Sequence, residues 1–233
     1  MTNFLSEFIG TTILILLGNG VVANVVLNKT KGNNSGWLVI TLGWAMALYV
    51  AVLVSSASGA HLNPAVSIAM VLHNKLAIAA LPIYILAQCL GAALGATLVW
   101  LLHKDHFDAT TDADAKLAVF STGPAIPNTI SNFCSEVIGT FILVYTILYF
   151  KDAQFAIGPL SALPVALVLL AIGLCLGGTT GYCLNPARDF MPRLMHFLLP
   201  IKNKRNSNWS YSWIPVLGPI VGGILAVLLF KIM

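Results

Sequence analysis

The sequence predicts an all-α membrane protein with six transmembrane helices and two short re-entrant half-helices, arranged as an inverted repeat of three helices plus three. The first observation is composition: 58% of the 233 residues are hydrophobic and 9% are charged, whereas soluble domains carry about 25% charged residues. The second is a series of long apolar stretches, and the third is a pair of short sequence motifs that each occur twice. A soluble domain and a disordered chain are thereby excluded, and a net charge of +4 is too thinly spread for nucleic-acid binding.

Six apolar stretches are long enough to cross a bilayer core, which needs about 20 residues per helix. They lie near 4–27, 37–57, 77–102, 132–150, 158–177 and 211–231. No small-residue cleavage pattern follows the first stretch, so we predict a retained helix rather than a signal peptide. Two further apolar segments, 64–72 and 186–199, are too short to span.

The two short segments begin with the same motif, an Asn-Pro-Ala triplet preceded by leucine. The triplets are Asn63, Pro64 and Ala65 in the first segment and Asn185, Pro186 and Ala187 in the second. Asn is a preferred residue at a helix N-cap and Pro at the first helical position. Each segment is therefore predicted to be an extended loop that becomes a short helix partway through the membrane.

A second motif lies at the start of the first and fourth spans: SEFIGT at 6–11 recurs as SEVIGT at 135–140. Each half then holds three spans, and because three is odd, the second copy must lie inverted relative to the first. We divide this single transmembrane channel domain, residues 1–233, into a first repeat at about 1–102, a linker at 103–131 and a second repeat at about 132–233. Inverted repeats with broken helices that meet at the midplane are typical of conduction pathways.

Two Asn-Pro-Ala triplets, in inverted halves that each open with a glutamate, resemble the major intrinsic protein (aquaporin) family over essentially the whole chain. The resemblance implies six tilted helices, two half-helices that meet end to end, and one pore per subunit. It also implies a homotetramer in the cell (plasma) membrane, with both termini in the cytoplasm. No cofactor and no metal site are expected, and the four cysteines lack a metal-type spacing.

The residues after the second triplet look like the glycerol-conducting branch of the family, the aquaglyceroporins. Asp189, the basic Arg193, and Pro215 followed by the non-aromatic Val216 fit that branch rather than strict water channels. The resemblance thus implies a passive channel for glycerol and other small uncharged solutes, with water, that excludes ions and protons. The alternatives are a strict water channel, or a channel mainly for urea, dihydroxyacetone, hydrogen peroxide or protonated lactic acid.

The resemblance also implies a constriction made of four residues. Counting from the second triplet without a gap gives Gly173, Tyr182 and Arg188. The position in the second span is Trp44 if one residue is missing before the first half-loop, and Gly43 by a gapless count. We predict Trp44 because an aromatic residue is expected there. Tyr182 stands where the glycerol facilitator typically has Phe, and its hydroxyl either tightens the pore or favours a more polar solute.

The polar groups near the triplets suit an uncharged solute. Asn side chains can cap the half-helices through oxygen and leave amide donors toward the lumen, and the two helix N-termini concentrate positive potential at the centre. Arg188 would add a permanent positive charge that opposes protons and cations. Backbone carbonyls can form two short ladders of acceptors, contributed by Gly59, Ala60 and His61 and by Gly181, Tyr182 and Cys183.

Glu7 and Glu136 occupy matching positions in the two halves. We expect each to accept hydrogen bonds from the backbone N–H groups of its own half-loop; a proton relay is the alternative for carboxylates at membrane depth. A secondary active transporter also uses inverted repeats, but it would need a coupling-ion site. The acids in the apolar segments are Glu7, Glu136 and Asp189, and two of these already have a structural explanation. The sequence shows no set of nucleophile, base and orienting residue, so it does not predict an enzyme.

The basic residues disagree with the orientation that the resemblance implies. Under that orientation three lie inside, Lys75, Lys151 and Lys231, whereas nine lie outside. The positive-inside rule would therefore turn the protein over. We retain the family orientation because an inverted repeat is built with weak charge bias. The nine are Lys29, Lys31, Lys104, Lys116, Arg188, Arg193, Lys202, Lys204 and Arg205.

Overall fold

The computed structural model describes residues 1–150 and 158–233, and within them every regular element is helical. Short 3-10 helices lie at Ser56–Ser58, Ile78–Ala80 and Gly158–Ala162. The α-helices in these residues are α1 (Asn3–Val26), α2 (Trp37–Val54), α3 (Pro64–Leu72), α4 (Leu81–Leu102), α5 (Lys104–Ala109), α6 (Ala113–Ala118), α7 (Thr129–Leu148), α8 (Leu163–Cys175), α9 (Pro186–Leu198) and α10 (Ile214–Ile232).

Five helical stretches are long and apolar enough to cross a membrane, and they correspond to five of the six predicted spans. These are α1, α2, α4 with the preceding 3-10 turn, α7 and α10. The span predicted at 158–177 is shorter, because its apolar helix covers Leu160–Cys175 and its α-helical part has 13 residues. The span predicted to end at 57 ends at Val54, since the chain turns into a 3-10 helix there. The chain is an integral membrane protein.

The two short segments form helices that start at the predicted prolines. α3 has 9 residues and α9 has 13, so neither reaches the about 20 residues of a full span. In each case the preceding Asn is in an extended conformation and its side chain caps the helix. Both capping asparagines are buried, so the half-helices begin inside the protein.

Glycines allow two helix pairs to pack with close backbone approach, one in each half. A Cβ atom at Gly91 in α4 would lie 2.5 Å from the carbonyl oxygen of Phe8 in α1, and one at Gly222 in α10 would lie 2.3 Å from that of Val137 in α7. Small residues at helix interfaces are the usual means of close packing in membranes. The pairs α1–α4 and α7–α10 thus form matching supports for the half-helices between them.

The linker, residues 103–131, contains the short helices α5 and α6 and is tied to the loop 199–213 by charged groups. Lys104 and Lys202 both lie near the Asp108 carboxylate, at 3.0 and 3.2 Å, and their hydrogen bonds lower the pKa of that carboxyl. Lys116 is buried and donates to the carbonyl oxygen of Lys202 at 2.6 Å. Arg205 pairs with Asp114. Lys151, counted above among the basic residues inside, lies outside the described residues.

Candidate functional site

Two cavities adjoin where the half-helices begin. The central cavity, of about 250 Å³, has mainly aliphatic walls, and both half-loops contribute polar groups to it. The linker-side cavity, of about 370 Å³, is lined in part by residues 121–125 of the linker. Trp44, Tyr182 and Arg188 line both cavities. Three of the four residues expected at the constriction therefore meet at the junction of the two cavities.

Trp44, rather than Gly43, faces this junction. The Trp44 ring carries the Arg188 guanidinium above it, with Cζ 4.2 Å from the ring centroid, a cation–π contact. A Cβ atom at Gly43 would instead lie 2.6 Å from the Val21 side chain. Gly43 therefore packs against α1 and leaves the pathway to Trp44.

Glycines in α1 and α8 and in the turn after α8 make room for the two aromatic rings. A Cβ atom at Gly18 would lie 2.2 Å from the Trp44 ring, and one at Gly177 would lie 2.3 Å from the Tyr182 ring. One at the predicted Gly173 would lie 3.0 Å from Tyr182 Cζ. Sequence reasoning missed Gly18 and Gly177, because glycine is common in transmembrane helices and a single sequence does not show what it contacts.

Trp37 holds Tyr182 in place and was also missed. Its indole N–H donates to the carbonyl oxygen of Gly173 at 3.1 Å, and its ring meets the Tyr182 ring edge-on with centroids 5.7 Å apart. It is the first residue of α2, and the sequence analysis assigns it no role. The contact depends on the packing of α2 beside α8, which the sequence does not display.

The two half-loops cross at their asparagines. Asn63 Nδ2 donates to the carbonyl oxygen of Leu184 at 2.8 Å, and Asn185 Nδ2 donates to that of Leu62 at 2.7 Å. The expectation that both amide groups stay free toward the lumen is therefore wrong in part. One N–H of each amide joins the half-loops, and the second remains available, since an amide carries two donor hydrogens.

The same asparagines cap their helices. Asn63 Oδ1 accepts from the Ala65 N–H at 2.8 Å, and Asn185 Oδ1 accepts from the N–H groups of Ala187 and Arg188 at 3.0 and 3.2 Å. With oxygen used in this way, the amide nitrogen must face the opposite half-loop and the cavity. The helix start and the orientation of the donor are thus one arrangement.

The buried glutamates hold the half-loops from behind. Glu7 accepts from the backbone N–H groups of His61 and Leu62 at 2.9 and 2.7 Å. Glu136 accepts from those of Cys183 and Leu184, both at 3.0 Å. Both glutamates are fully buried. Each carboxylate contacts backbone donors of its own half-loop, in the same register in both halves.

These contacts orient the carbonyl groups of the half-loops. In a trans peptide the C=O of one residue points opposite to the N–H of the next. The carbonyls of Ala60, His61, Tyr182 and Cys183 therefore point away from the glutamates, and all four residues line the central cavity. Gly59 lines that cavity too, whereas Gly181 lines the linker-side cavity.

Left-handed backbone conformations repeat at equivalent positions of the two half-loops. The φ angles of Leu62 and Leu184 are 52° and 56°, and those of Ala60 and Tyr182 are 51° and 38°. Such values are uncommon for residues other than glycine and persist only where surrounding contacts impose them. The glutamate contacts supply that constraint, so each half-loop is a preorganised strip of acceptors.

The glycine of the motif SEFIGT or SEVIGT has the same role in both halves, and the sequence did not reveal that role. A Cβ atom at Gly10 would lie 2.6 Å from Leu62 Cδ2, and one at Gly139 would lie 2.7 Å from Leu184 Cδ2. Each glycine therefore accommodates the leucine that precedes an Asn-Pro-Ala triplet. In each half, the motif that contains the glutamate therefore packs against the leucine of the Asn-Pro-Ala motif.

Asp189 and Arg193 lie behind the wall of the pathway. Both are fully buried, with Arg193 Nε 2.8 Å from Asp189 Oδ1 and Nη2 3.0 Å from Oδ2. Thr122 in the linker donates to Asp189 Oδ2 through its N–H and its hydroxyl, both at 2.7 Å, and Arg193 donates to the Thr122 carbonyl at 2.8 Å. This pair fixes the part of the linker that lines the linker-side cavity. Pro215 lies in the first turn of α10, and its carbonyl oxygen is 3.5 Å from Cys183 Sγ.

Comparison with known proteins gives consistent similarities. A sequence model of the major intrinsic protein family matches residues 1–230. The chain is 57% identical to a glycerol uptake facilitator protein of Streptococcus pneumoniae (strain R6), covering 100% of this chain and 99% of the relative. It is 52% identical to a probable glycerol uptake facilitator protein of Thermotoga maritima, covering 99% of each. Its structure is similar to the X-ray structure of the aquaglyceroporin from Plasmodium falciparum, with a TM-score of 0.86 and 33% identity over 98% of this chain and 94% of that chain.

Proposed function

The chain belongs to the major intrinsic protein family, and on this premise we propose that it is a passive channel for glycerol and other small uncharged solutes, with water. The observation that carries the proposal is the crossing of the half-loops, where Asn63 and Asn185 each donate to the opposite loop beside the central cavity. The glycerol uptake facilitators among its relatives support the choice of solute. Permeation is selected by shape and polarity and involves no turnover.

The two sides of the pathway suit the two edges of glycerol. Glycerol carries hydroxyl groups along one edge and C–H groups along the other. The carbonyls of the half-loops and the amide donors of Asn63 and Asn185 would bind the hydroxyl edge, and Arg188 would add a charged donor. The Trp44 ring and the aliphatic wall would contact the C–H edge. Gly173 leaves room for the Tyr182 ring beside the pathway.

Exclusion of ions and protons would follow from the positive field at the centre. The N-termini of α3 and α9 each place about half a positive charge there, and Arg188 adds a full one. No carboxylate among the described residues lines the central cavity to attract a cation. Glu7, Glu136 and Asp189 are engaged by backbone or side-chain donors, which disfavours a coupling-ion site and thus an active transporter.

We further propose that Trp44, Gly173, Tyr182 and Arg188 form the selectivity constriction and that the chain works as a homotetramer in the plasma membrane with both termini cytoplasmic. The shared lining of the two cavities supports the roles of Trp44, Tyr182 and Arg188, and the close approach of the Tyr182 ring to Gly173 supports that of Gly173. Light scattering of the purified protein in detergent would give the oligomeric state. A monomeric mass would contradict the tetramer.

The proposal is tested by stopped-flow light scattering on proteoliposomes. Sucrose-driven shrinkage measures water flux, and reswelling in a glycerol gradient measures solute entry. Fast shrinkage and fast reswelling, both absent from protein-free liposomes, are expected. Fast water flux without glycerol entry would instead identify a strict water channel, and saturable, ion-dependent accumulation would identify a transporter.

A further inference from the structure

His196 is a buried imidazole at the end of the half-helix α9. It lies in the last turn of α9, beside the loop 199–213 and outside the membrane-spanning helices, and it is fully buried. Its Nδ1 lies 2.9 Å from the Ser207 hydroxyl oxygen, whereas its Nε2 has no hydrogen-bond partner among the described residues. The ring of Phe120, a linker residue, packs against it with centroids 5.5 Å apart. The imidazole is therefore enclosed between α9, the linker and the loop.

Ser207 connects this imidazole to the wall of the linker-side cavity. Its carbonyl oxygen accepts from Arg193 Nη1 at 2.8 Å, and Nη2 of the same guanidinium donates to the carbonyl oxygen of Thr122 at 2.8 Å. The Thr122 N–H donates to Asp189, which is the charge partner of Arg193. Thr122 lines the linker-side cavity. The position of this wall thus depends on a chain of contacts that runs from His196 through Ser207 and Arg193.

The charges around His196 favour the neutral ring. Three cations from α9 and the loop 199–213 act on it: Lys204, Arg193 and Arg205. Asp189 and Asp114 pair with the two arginines, and Lys204 donates to the His196 carbonyl oxygen at 2.7 Å. Because Nε2 meets no acceptor in the described part of the chain, a proton on it would be buried without a partner. Burial, together with the three cations, lowers the pKa of His196 to about 4.

Acid therefore favours release of the ring. An imidazole in water has a pKa of about 6.5, so a released His196 binds a proton at pH values where the buried ring does not. Release becomes more favourable as the pH falls from about 6.5 to about 4. Between pH 7.5 and pH 5 the ratio of released to buried rings rises about thirtyfold. An aspartate in water titrates near pH 3.9, so pH 5 separates the protonation of an imidazole from that of carboxylates.

We propose that neutral His196 is a positioning residue for the pathway, which holds the linker wall through Ser207 and Arg193, and that protonation of the ring releases this wall. The inference rests on the proposed function, because it treats the linker-side cavity as the entrance of a channel. The entrance is then firmly held at neutral pH and loosened by acid on the side of the membrane that the linker faces.

Hydrogen exchange of the purified protein in detergent tests this inference, followed by mass spectrometry in a peptide that includes Thr122. The amide hydrogen of Thr122 is bound to Asp189, so it exchanges when the linker wall is released. After correction for the pH dependence of chemical exchange, the wild-type rate should rise about thirtyfold from pH 7.5 to pH 5. In His196→Gln, a polar side chain of similar size that does not titrate, the change should stay below about threefold.

Two further variants complete the test. His196→Asn places an amide near the position of Nδ1 and replaces His196→Gln if that variant does not fold. His73→Gln is the matched control, because His73 caps α3 and packs against Phe230 of α10. It should show the same pH response as the wild type.

The outcomes separate this inference from the proposed function. A wild-type exchange rate that does not depend on pH after correction overturns the inference. An equal rise in the wild type and in His196→Gln also overturns it, since the response would then belong to another group. Glycerol permeation of wild-type proteoliposomes at pH 7.5 tests the channel separately. Its absence overturns the proposed function, whereas the exchange rates still decide whether His196 holds the linker.

Discussion

Glu7 and Glu136 show how one buried side chain can organise a loop at membrane depth. Irregular backbone is tolerated there only when its polar groups are satisfied within the protein. Each carboxylate accepts two backbone N–H groups of a half-loop and also a hydroxyl, from Ser58 in the first half and Thr180 in the second. The glutamates are thus structural acceptors, and their contacts do not suggest a relay for protons.

Replacement of Glu136 by Gln should destabilise the protein by about 1–3 kcal/mol, because the new amide group turns a donor toward at least one backbone N–H. Thermal unfolding of the purified protein in detergent measures the effect. Ser135→Ala is the control, since Ser135 lies next to it on α7 and donates only within the helix. Equal melting temperatures for both variants would contradict the structural role.

Replacement of Arg188 by Val should weaken the rejection of ions and protons while glycerol still permeates. Loss of about 1.4 kcal/mol of electrostatic barrier corresponds to a tenfold higher leak, and we expect at least that from removing a charge at the junction of the cavities. A pH-sensitive dye inside proteoliposomes reports the proton leak. Lys31→Gln, at an exposed site, should leave the leak unchanged, and an unchanged leak in Arg188→Val would remove Arg188 from the filter.

At the scale of elements, the two halves repeat one packing arrangement. α1 and α7 each present a glutamate and a glycine to a half-loop, and each packs by close glycine contacts against a second helix, α4 or α10. The glycines in these contacts face backbone atoms, which cannot move aside as a flexible side chain can. Close packing therefore fixes the distance between a glutamate and the half-loop it holds.

Replacement of Gly222 by Ala should separate α7 from α10 and destabilise the protein by about 1–3 kcal/mol, the usual cost of overpacking. Its Cβ atom would lie 2.3 Å from the Val137 carbonyl oxygen and 2.9 Å from the Phe141 nitrogen. Gly20→Ala is the matched control, because open space surrounds that position in α1. Thermal unfolding should rank Gly20→Ala at or above the wild type, and an equal loss in both would refute the close-packing argument.

Replacement of Asp189 by Asn should cost about 3–5 kcal/mol, because Arg193 would remain buried without its charge partner. The release of Thr122 should also make the linker more sensitive to protease. A double variant, Asp189→Asn with Arg193→Met, should recover part of the loss. Asp108→Asn breaks only exposed ion pairs and should change stability by less than about 1 kcal/mol; a comparable loss there would contradict the clamp.

At the scale of the whole molecule, the basic residues that disagree with the family orientation are mostly committed to folding. Lys116, Lys202 and Lys204 bond to backbone carbonyls or to Asp108, while Arg193 and Arg205 pair with aspartates. The contacts of Lys116, Lys202 and Arg205 join the linker to the loop 199–213, whereas those of Lys204 and Arg193 lie at the end of α9 and within it. Their positions answer to packing on that face, which explains why they need not follow the positive-inside rule.

The orientation itself stays a prediction and can be tested by labelling single cysteines in intact cells. An impermeant maleimide should react with Thr111→Cys in the linker and should reach Lys75→Cys only after lysis. The unmodified protein gives the background from its own cysteines. The reverse pattern would place the linker in the cytoplasm, as the basic residues alone suggest.

The sequence by itself determined the features that depend on local chemistry and on repetition. The length of the apolar stretches predicted the spans, and the Asn-Pro pairs predicted where α3 and α9 begin. Two motifs that recur in the same order predicted two related halves. It also singled out Glu7 and Glu136 as partners of the half-loops. These features depend on residue type and spacing, which one sequence displays. The division into repeats at 102 and 132 remains a prediction.

Only the tertiary structure decided which residues from distant parts of the chain face one another. It placed Trp44 rather than Gly43 at the junction of the cavities, joined Asn63 to Leu184 across the half-loops, and brought Asp189 into contact with Thr122 of the linker. It also revealed the glycines beneath the aromatic rings. Such contacts depend on how helices pack side by side, and this packing is set by the shapes of side chains across the whole fold rather than by any local sequence motif.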